Sequence, residues 1–522
     1  MDVCLRGMPP GYGVTLQEIL WIHFPGAQFV ENDDLSPEGD CFAATEIEKD
    51  TAEVRFREEA GGEGLPVITA RFCHAGREGV GQATLSPNGE KESGDSDTVY
   101  DDNRREGENA RRRAAKLALL RALEDYCGAP PNTWGILTGV RPAKIVHRRL
   151  DQGKDRESIR AELLRDYALQ PEKADLLLEI ALRQRPFFYA GPDDRHKAGV
   201  YIGIPFCPTR CLYCSFPGYD VKKFKGWLEP FLHSLRREIE AVGSALRQAG
   251  RQVQHIYIGG GTPTALTADQ LEELLRWVNQ HLRGPETVEF TLEGGRPDTL
   301  DRDKLERAFA GGVNRLSINP QSMNADTLER IGRCHRPGEV VEAVELARAI
   351  GFPVINMDMI IGLPGEDANA VRNTLDQIAP LRPENLTVHT MAIKRASRLT
   401  AEREQWILPT ADEVEAMLAV TREGARDLGL VPYYLYRQKR ILANQENVGY
   451  TLPGQECIYN IHVMEERQTI WGLGAGAATK IVRAEDGEIL DSWHNPKDPM
   501  NYVERLDGII GRKLKKLEGT LC

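Results

Sequence analysis

Between residue 198 and about residue 393 the chain alternates between two hydrophobic patterns. Short β-rich apolar runs stand at 199–204, 253–258, 287–292, 314–319, 354–361 and 386–391. Between them lie amphipathic stretches such as Trp227–Leu246, Ala268–Leu282, Arg302–Ala310, Glu339–Ile350 and Ala370–Leu381. Strands alternating with helices of that length make βαβ units and a parallel sheet. Six such repeats predict an α/β fold built on a partial (β/α)6 barrel. Function in such barrels sits at the carboxyl ends of the strands.

The flanking regions read less sharply. Residues 1–190 are expected to form an N-terminal α+β accessory domain, with a helix at Val14–Phe24 and strands near Cys41–Glu46 and Leu65–Phe72. Residues 84–104 are polar and read as a loop. A helix follows at Glu108–Cys127, with Leu117, Leu120 and Leu123 at helical spacing. It carries Arg111, Arg112, Arg113, Lys116 and Arg121, which fit either a basic patch for RNA or a solvated helix face. Trp134–Lys144 reads as an ordered turn, 156–184 as helical, and Gly191–Lys197 as the linker into the barrel at 191–400. Beyond it, residues 401–522 form a C-terminal accessory region. There Glu402–Leu428 is mostly helical, and Gln468–Ala477 is an apolar strand entering a glycine turn. The basic helix around Lys513–Lys516 reads as surface.

Composition narrows the classes. A net charge of −12 does not favour nucleic-acid binding. No apolar run is long enough to span a membrane, and the first ten residues lack a signal-peptide core. Ten cysteines in 522 residues are too sparse for a secreted disulfide scaffold, so a reducing cytoplasm is expected.

The chemistry concentrates where the first barrel strand ends, in Tyr201-Ile-Gly-Ile-Pro-Phe-Cys207-Pro-Thr-Arg-Cys211-Leu-Tyr-Cys214-Ser-Phe216. The spacing is Cys-x3-Cys-x2-Cys, with no second Cys-x2-Cys pair to close a zinc site. A [4Fe–4S] cluster is usually held by four thiolates. Three in one tight loop would leave one iron open, as catalytic metal sites do. Each later strand end also offers polar groups: Gly259-Gly-Gly-Thr-Pro-Thr264, Glu293, Gln321 with Arg333 beyond it, and Asp358. Glycines let a backbone approach a ligand closely. Arg333 can fork onto a carboxylate, and an acid within an apolar strand such as Asp358 needs a partner.

The cysteine spacing, its aromatic residue and its strand context resemble the radical S-adenosylmethionine (SAM) superfamily. The resemblance implies that the open iron chelates SAM, and that an electron from the reduced cluster splits it into methionine and a 5′-deoxyadenosyl radical. Tyr201-x-x-Ile-Pro-Phe-Cys, the glycine turn, Arg315-Leu-Ser, Gln321, Ile361-Gly-Leu-Pro and Gly472-Leu-Gly-Ala-Gly-Ala477 narrow it to the oxygen-independent coproporphyrinogen III oxidase group, over about 198–482. By position, this group's SAM contacts fall on Tyr201, Tyr213, Gly260, Gly261, Thr262, Glu293, Gln321, Arg333, Asp358 and Ala392, with Ala478 a weaker carry-over. Tyr201, Gln321 and Arg333 stand as the catalytic set, and Cys207, Cys211 and Cys214 as the metal ligands. Phe216 occupies the place of a fourth Cys in the HemN branch.

Two branches share that Cys-x-Phe ending, the haem chaperones (HemW) and the coproporphyrinogen dehydrogenases (HemZ). After Pro453-Gly-Gln-Glu-Cys457 this chain reads Ile458-Tyr-Asn-Ile-His462-Val-Met464, without the chaperone haem motif. Trp134-Gly-Ile-Leu-Thr-Gly-Val-Arg-Pro142, Leu435-Tyr-Arg-Gln-Lys439 and Glu446-Asn-Val-Gly-Tyr450 are similar to HemZ. The implied reaction is decarboxylation of two propionates of coproporphyrinogen III to vinyl groups, in porphyrin (haem) biosynthesis, beneath a C-terminal substrate-covering domain. The implied cofactors are the [4Fe–4S] cluster and SAM. The implied partners are a porphyrinogen and an electron donor such as flavodoxin or ferredoxin, with neither membrane nor nucleic acid expected. Lys394, Arg395, Arg398, Arg437, Lys439 and Arg440 are candidates for gripping propionates. A HemW-like haem chaperone and an RNA-modifying radical enzyme remain as alternatives.

Overall fold

Strand and helix form where the pattern expects them through the middle of the chain, and less predictably at its ends. The computed structural model describes residues 2–6, 12–24, 27–30, 52–60, 66–85, 99–128, 132–214, 218–394, 397–402 and 405–518. The chain divides into two compact units, Met1–Leu178 and Glu179–Cys522.

The first unit holds strands β1 (Asp2–Arg6), β2 (Gln28–Val30), β3 (Ala52–Ala60), β4 (Pro66–His74) and β5 (Arg77–Thr84) in the order β2-β1-β3-β4-β5. Helices α1 (Tyr12–His23) and α2 (Val99–Cys127) accompany them, followed by α3 (Ala143–Asp151), α4 (Arg156–Tyr167) and α5 (Pro171–Gln184), whose residues from Glu179 on belong to the second unit. The expected helix at 14–24 and strand at 65–72 are α1 and β4; the strand expected at Cys41–Glu46 lies outside the described residues. Helix α2 begins at Val99, inside the stretch that reads as a polar loop. Strand β5 escapes the hydrophobic pattern because its buried face is Gly79, Gly81 and Ala83. Those glycines are required by α2: a Cβ on Gly79 would lie 2.1 Å from the Ala122 carbonyl, and one on Gly81 2.2 Å from that of Ala118. Phe24, Phe72 and Tyr126 close this interface with ring contacts of 4.8–6.1 Å. The basic face of α2 is partly engaged: Arg111 pairs with Glu58 at 3.1 Å, and Arg121 donates to the Gln82 carbonyl.

The second unit is organised on one eleven-stranded sheet. Its centre is β6 (Lys197–Ile204), β9 (Gln252–Gly260), β10 (Glu289–Glu293), β11 (Arg315–Ser317), β12 (Val354–Ile361) and β13 (Asn385–Thr390), adjacent in chain order and all parallel. Helices α6 (Lys225–Gln248), α7 (Ala268–His281), α8 (Arg302–Ala310), α9 (Ala325–Arg330), α10 (Pro337–Ile350) and α11 (Ala368–Ile378) make the crossovers. The six predicted strands are all present, joined by five helical crossovers, of which the one between β11 and β12 holds both α9 and α10. Thr267 and Gln270 form a capping box at α7, Asp301 caps α8 and Asp367 caps α11, so the helix starts are written locally. Between β6 and α6 lie a short ribbon of β7 (Phe206–Cys207) and β8 (Tyr219–Asp220).

The chain beyond 400 extends the same sheet at both edges. After the short α12 (Arg398–Ala401) and α13 (Ala411–Asp427), β14 (Val431–Tyr436) and β15 (Asn447–Thr451) add antiparallel beside β13. Helix α14 (Ile458–Glu465) then leads to β16 (Ile470–Gly474), which runs parallel to β6 and carries β17 (Ala478–Val482) and β18 (Ile489–His494). The described sheet thus has two ends, β14 and β18, as a partial barrel does.

The final helices are α15 (Pro499–Glu504) and α16 (Leu506–Glu518). One expectation is corrected here. Lys513 of the basic C-terminal helix is fully buried rather than on the surface. Its ammonium pairs with Glu238 of α6, equally buried, and donates to the Gly472 carbonyl at 2.6 Å. Glu238 also accepts from the Gly474 N–H (2.7 Å) and the Tyr502 hydroxyl (2.6 Å). A charge this deep persists only because it is paired and fully bonded.

Candidate active site

The predicted residues gather at the carboxyl ends of the parallel strands. Cys207 ends β7, and the glycine turn that closes β9 is laid directly against it. Gly261 N–H donates to the Ile204 carbonyl and Thr262 N–H to that of Phe206, both at 2.7 Å. The Thr262 hydroxyl faces the Cys207 sulfur at 3.6 Å. A Cβ on Gly261 would lie 2.5 Å from the Phe206 oxygen and 2.9 Å from the Cys207 sulfur. Gly260 adopts φ +113°, which side chains other than glycine's rarely allow.

Cys211 is buried, and the Arg296 guanidinium approaches its sulfur at 4.0 Å while bonding Thr209 (2.6 Å) and both oxygens of Asp298 (3.0 and 3.1 Å). Leu212, between the second and third thiols, inserts into an apolar cluster with Leu328, Ile331, Ile360, Leu363, Met391 and Leu399. Its backbone is held at both groups, by the Ile331 carbonyl at 2.9 Å and the Leu399 N–H at 3.0 Å. Tyr213 packs on the same cluster. Cys214 N–H bonds the Cys211 carbonyl at 3.2 Å, so the two thiols share one turn. All three are free of disulfides. Burial first, and then the other two thiols, push Cys207 up to about 11, so it needs a cation to bind as thiolate. Phe216 lies outside the described residues.

Around this loop the strand ends present polar groups. Glu293 accepts from the Tyr257 hydroxyl at 2.5 Å and from the Gly260 N–H at 3.3 Å. Burial, aided by the charge of Asp358, pushes its carboxyl up to about 7. For Asp358 burial works in the same direction, but His389, Asn356 and Thr387 outweigh it and hold the group below the ordinary carboxylate value. The Asn356 amide donates at 2.8 Å and His389 Nε2 lies 3.6 Å away. Gln321 takes a left-handed backbone, φ +65°, uncommon without glycine. It is pinned there by bonds to β12: its N–H to the Asp358 carbonyl (2.9 Å) and its carbonyl from the Ile360 N–H (2.8 Å). Arg333 is buried and donates to the Asn319 and Gly295 carbonyls at 2.6 and 3.3 Å. Tyr201, on β6, stacks on Tyr257 and Tyr459 with centroids 6.1 and 5.7 Å apart. Ala392 follows β13, bridged to Ile441. Ala478 opens β17, and its carbonyl lies where a Cβ on Gly472, the β16 neighbour of Tyr201, would be.

The sequence therefore converges on one neighbourhood, with Ala392 and Ala478 at its margins. Pattern reading missed Tyr257, Tyr459, Tyr436, His389 and Arg296. The first had a signal: His255, Tyr257 and Gly259 alternate with isoleucines on β9 and so face together. His389 and Tyr436 bond each other at 2.9 Å across β13 and β14, a pairing that only the fold brings together.

The residues present suit a polar ligand bound beside an iron–sulfur cluster. The Oε1 of Gln321 and the Nε of Arg333 are buried and lack partners among the described residues. Other buried polar atoms also lack partners, but these two lie at the strand ends beside the cysteine loop, where a bound polar group could meet them. Among the described residues no three His, Cys, Asp or Glu are arranged about a single ion; a cubane instead distributes its cysteines over different irons.

Comparison with known proteins decides the family. The model of the radical SAM superfamily matches residues 201–378. An oxygen-independent coproporphyrinogen-III oxidase-like protein, HemZ of Bacillus subtilis, is 44% identical over 389 residues, covering 74% of this chain and 77% of the relative. The chain belongs to the radical SAM superfamily. Within it, the chain stands with the coproporphyrinogen-III oxidase-like proteins. The haem chaperone HemW of Escherichia coli is 30% identical, over 56% of this chain and 72% of that protein. A solved structure of E. coli coproporphyrinogen III oxidase, HemN, described as a radical SAM enzyme, aligns with TM-score 0.49 and 24% identity over 63% of this chain and 73% of that one. Membership in the radical SAM superfamily implies a [4Fe–4S] cluster and SAM. No helix among the described residues is long and apolar enough to cross a membrane.

Proposed function

We propose that this radical SAM protein carries out oxygen-independent oxidative decarboxylation of coproporphyrinogen III to protoporphyrinogen IX, in porphyrin synthesis. The observation that carries the proposal is the seating of Cys207 on the Gly260–Thr262 turn, with Glu293, Gln321, Arg333 and Asp358 around it. The similarity to HemZ supports the choice of substrate.

In this reading Cys207, Cys211 and Cys214 would hold the cluster, and the glycine turn, Thr262, Glu293, Gln321, Arg333 and Asp358 would hold SAM. When bound, these groups supply a one-electron cleavage that gives a hydrogen-abstracting radical. Arg333, already fixed by two carbonyls, can present its remaining N–H groups to a carboxylate. Gln321 can accept through its open Oε1. The apolar cluster around Leu212 keeps water from the cysteine loop. Tyr201, Tyr257 and Tyr459 form a stacked aromatic wall suited to a tetrapyrrole. Each propionate would give a hydrogen atom from its β-carbon to that radical, then release CO2 and pass one electron to an external one-electron acceptor, leaving a vinyl group.

The propionate grip falls on fewer cations than the sequence offered. Arg437 is buried and occupied by the carbonyls of Gln445 and Asn444, which makes it a structural residue. Arg395 lies outside the described residues, and Arg398 pairs with Glu402 at 3.1 Å. Lys394, half-buried beside β13, is the stronger candidate: its ammonium makes a long bond of 3.5 Å to the Lys439 carbonyl and has no carboxylate partner among the described residues. The chaperone reading is disfavoured by α14, where His462 is buried against His255.

The test is anaerobic. Cluster-loaded protein, SAM, reductant and coproporphyrinogen III should yield protoporphyrinogen IX with two CO2 released per porphyrinogen. SAM cleavage without decarboxylation would refute the substrate assignment, and stoichiometric haem retention instead of turnover would favour the chaperone.

A further inference from the structure

Cations collect beside the cysteine loop of a chain whose net charge is −12. In the β7–β8 ribbon Cys207 pairs with Asp220, and Val221 N–H bonds the Cys207 carbonyl at 3.0 Å. Lys222, Lys223 and Lys225 come next, all exposed. From the same ribbon the Tyr219 hydroxyl donates to Asp498 at 3.0 Å, tying it to a second cationic surface. That surface is an open groove of about 770 Å³, lined by Tyr219, Trp493, Lys497, Arg505 and Arg512 among others. Arg512 lies over the Trp493 ring at 4.3 Å and 3.5 Å from Asp491.

The charges here are unequally occupied. Lys222, Lys223, Lys225, Lys497 and Arg505 have no side-chain partner among the described residues. The nearby carboxylates are mostly committed to structure. Asp220 accepts from the N–H groups of Lys222 and Lys223, Asp498 from Tyr219 and the N–H groups of Met500 and Asn501, and Asp507 from Arg237. Only Glu504 on these two segments is an exposed carboxylate without a partner. An acidic chain that leaves five exposed cations without a side-chain partner on two segments joined through Tyr219 and Asp498 presents the steering charge of an interface for an acidic partner.

We propose that this surface is the docking site for a small acidic protein that delivers single electrons to the cluster. The proposal rests on the cysteine loop holding that cluster. Phosphates would also suit the cations, but the patch grows from the very ribbon that carries Cys207, so a partner seated there lies next to a ligand thiol. For electron delivery that position is decisive, and for gripping RNA it confers nothing.

The experiment uses full-length, cluster-loaded protein and follows cluster reduction by stopped-flow absorbance. The reductants are a pre-reduced flavodoxin of net negative charge and, separately, dithionite. Reversing Lys222, Lys223 and Lys225 together to Glu, or Lys497→Glu with Arg505→Glu, should slow flavodoxin-driven reduction at least about tenfold and flatten its salt dependence. Reduction by dithionite and the affinity for SAM should not change. Arg382→Glu, an exposed cation at the opposite end of the parallel strands, should have no effect. Equal flavodoxin rates in variants and wild type would overturn the docking site while leaving the cluster intact, and so would equal slowing by Arg382→Glu. Binding of a single-stranded oligonucleotide that the reversals abolish, with donor rates unaltered, would overturn it in favour of RNA. Failure to load a cluster that dithionite can reduce would instead bring down the reading on which the proposal rests.

Discussion

Glu293→Gln is expected to stabilise the protein, and only above a defined pH. The carboxyl at the end of β10 is buried among Tyr257, Gly260 and Asp358, and burial above all pushes it up to about 7 from an ordinary 4.5. A raised carboxyl means the folded state holds a proton that the unfolded state releases. Its contribution to stability is fully present below about 4.5 and is lost as the pH rises through about 7. At about 1.4 kcal/mol per decade, that gap corresponds to roughly 3 kcal/mol, a sizeable fraction of a typical folding free energy. Glutamine keeps the shape, carries no charge, and leaves an oxygen to accept from Tyr257. Denaturant unfolding of SAM-free wild type and variant from pH 5 to pH 8.5 should show similar midpoints at the acid end. The variant should then pull ahead, with the difference levelling off above about pH 8 at roughly 3 kcal/mol. A difference that ignores pH, or a variant less stable than wild type at pH 8, would refute the reasoning. A carboxylate kept at that cost at a strand mouth is expected where function requires it.

Three further outcomes follow from buried groups. Lys513→Met should destabilise by about 3–5 kcal/mol because it strands the Glu238 carboxylate, and hydrogen exchange should rise at Gly472–Ala477; adding Glu238→Gln should recover much of the loss. His255 and His462 stack at 5.6 Å, and burial lowers both pKa values, so the folded state keeps them neutral. Stability should therefore fall as pH drops below about 6.5, by up to about 1.4 kcal/mol per pH unit for each, and His462→Leu should flatten that slope in acid-unfolding curves. Gly261→Ala should leave the circular dichroism unchanged yet sharply reduce iron and sulfide bound on reconstitution, since its Cβ would lie 2.5 Å from the Phe206 carbonyl.

The parallel core was legible because its strands and helices announce themselves by period, and α8, predicted at Arg302–Ala310, occupies that span. Strand β5 was not legible, because a strand that faces a helix with glycine and alanine has no hydrophobic alternation to read. The site divides along the same line. The three thiols and the glycine turn could be found because their chemistry depends on spacing along the chain. The bond between His389 and Tyr436 could not, because it joins residues 47 positions apart. Basic residues expose the limit most clearly. Lys513, Arg437 and Lys222 look alike in sequence, each a cation in mixed surroundings. The first is locked to Glu238, the second is occupied by carbonyls, and the third stands exposed without a partner beside Cys207. What separates a structural cation from one available to a partner is whether the fold has already supplied its anion. That depends on strand order and crossover geometry, which is why the proposed docking surface emerges only once the β7–β8 ribbon is seen to place Lys222 two residues beyond Asp220, the pairing partner of Cys207.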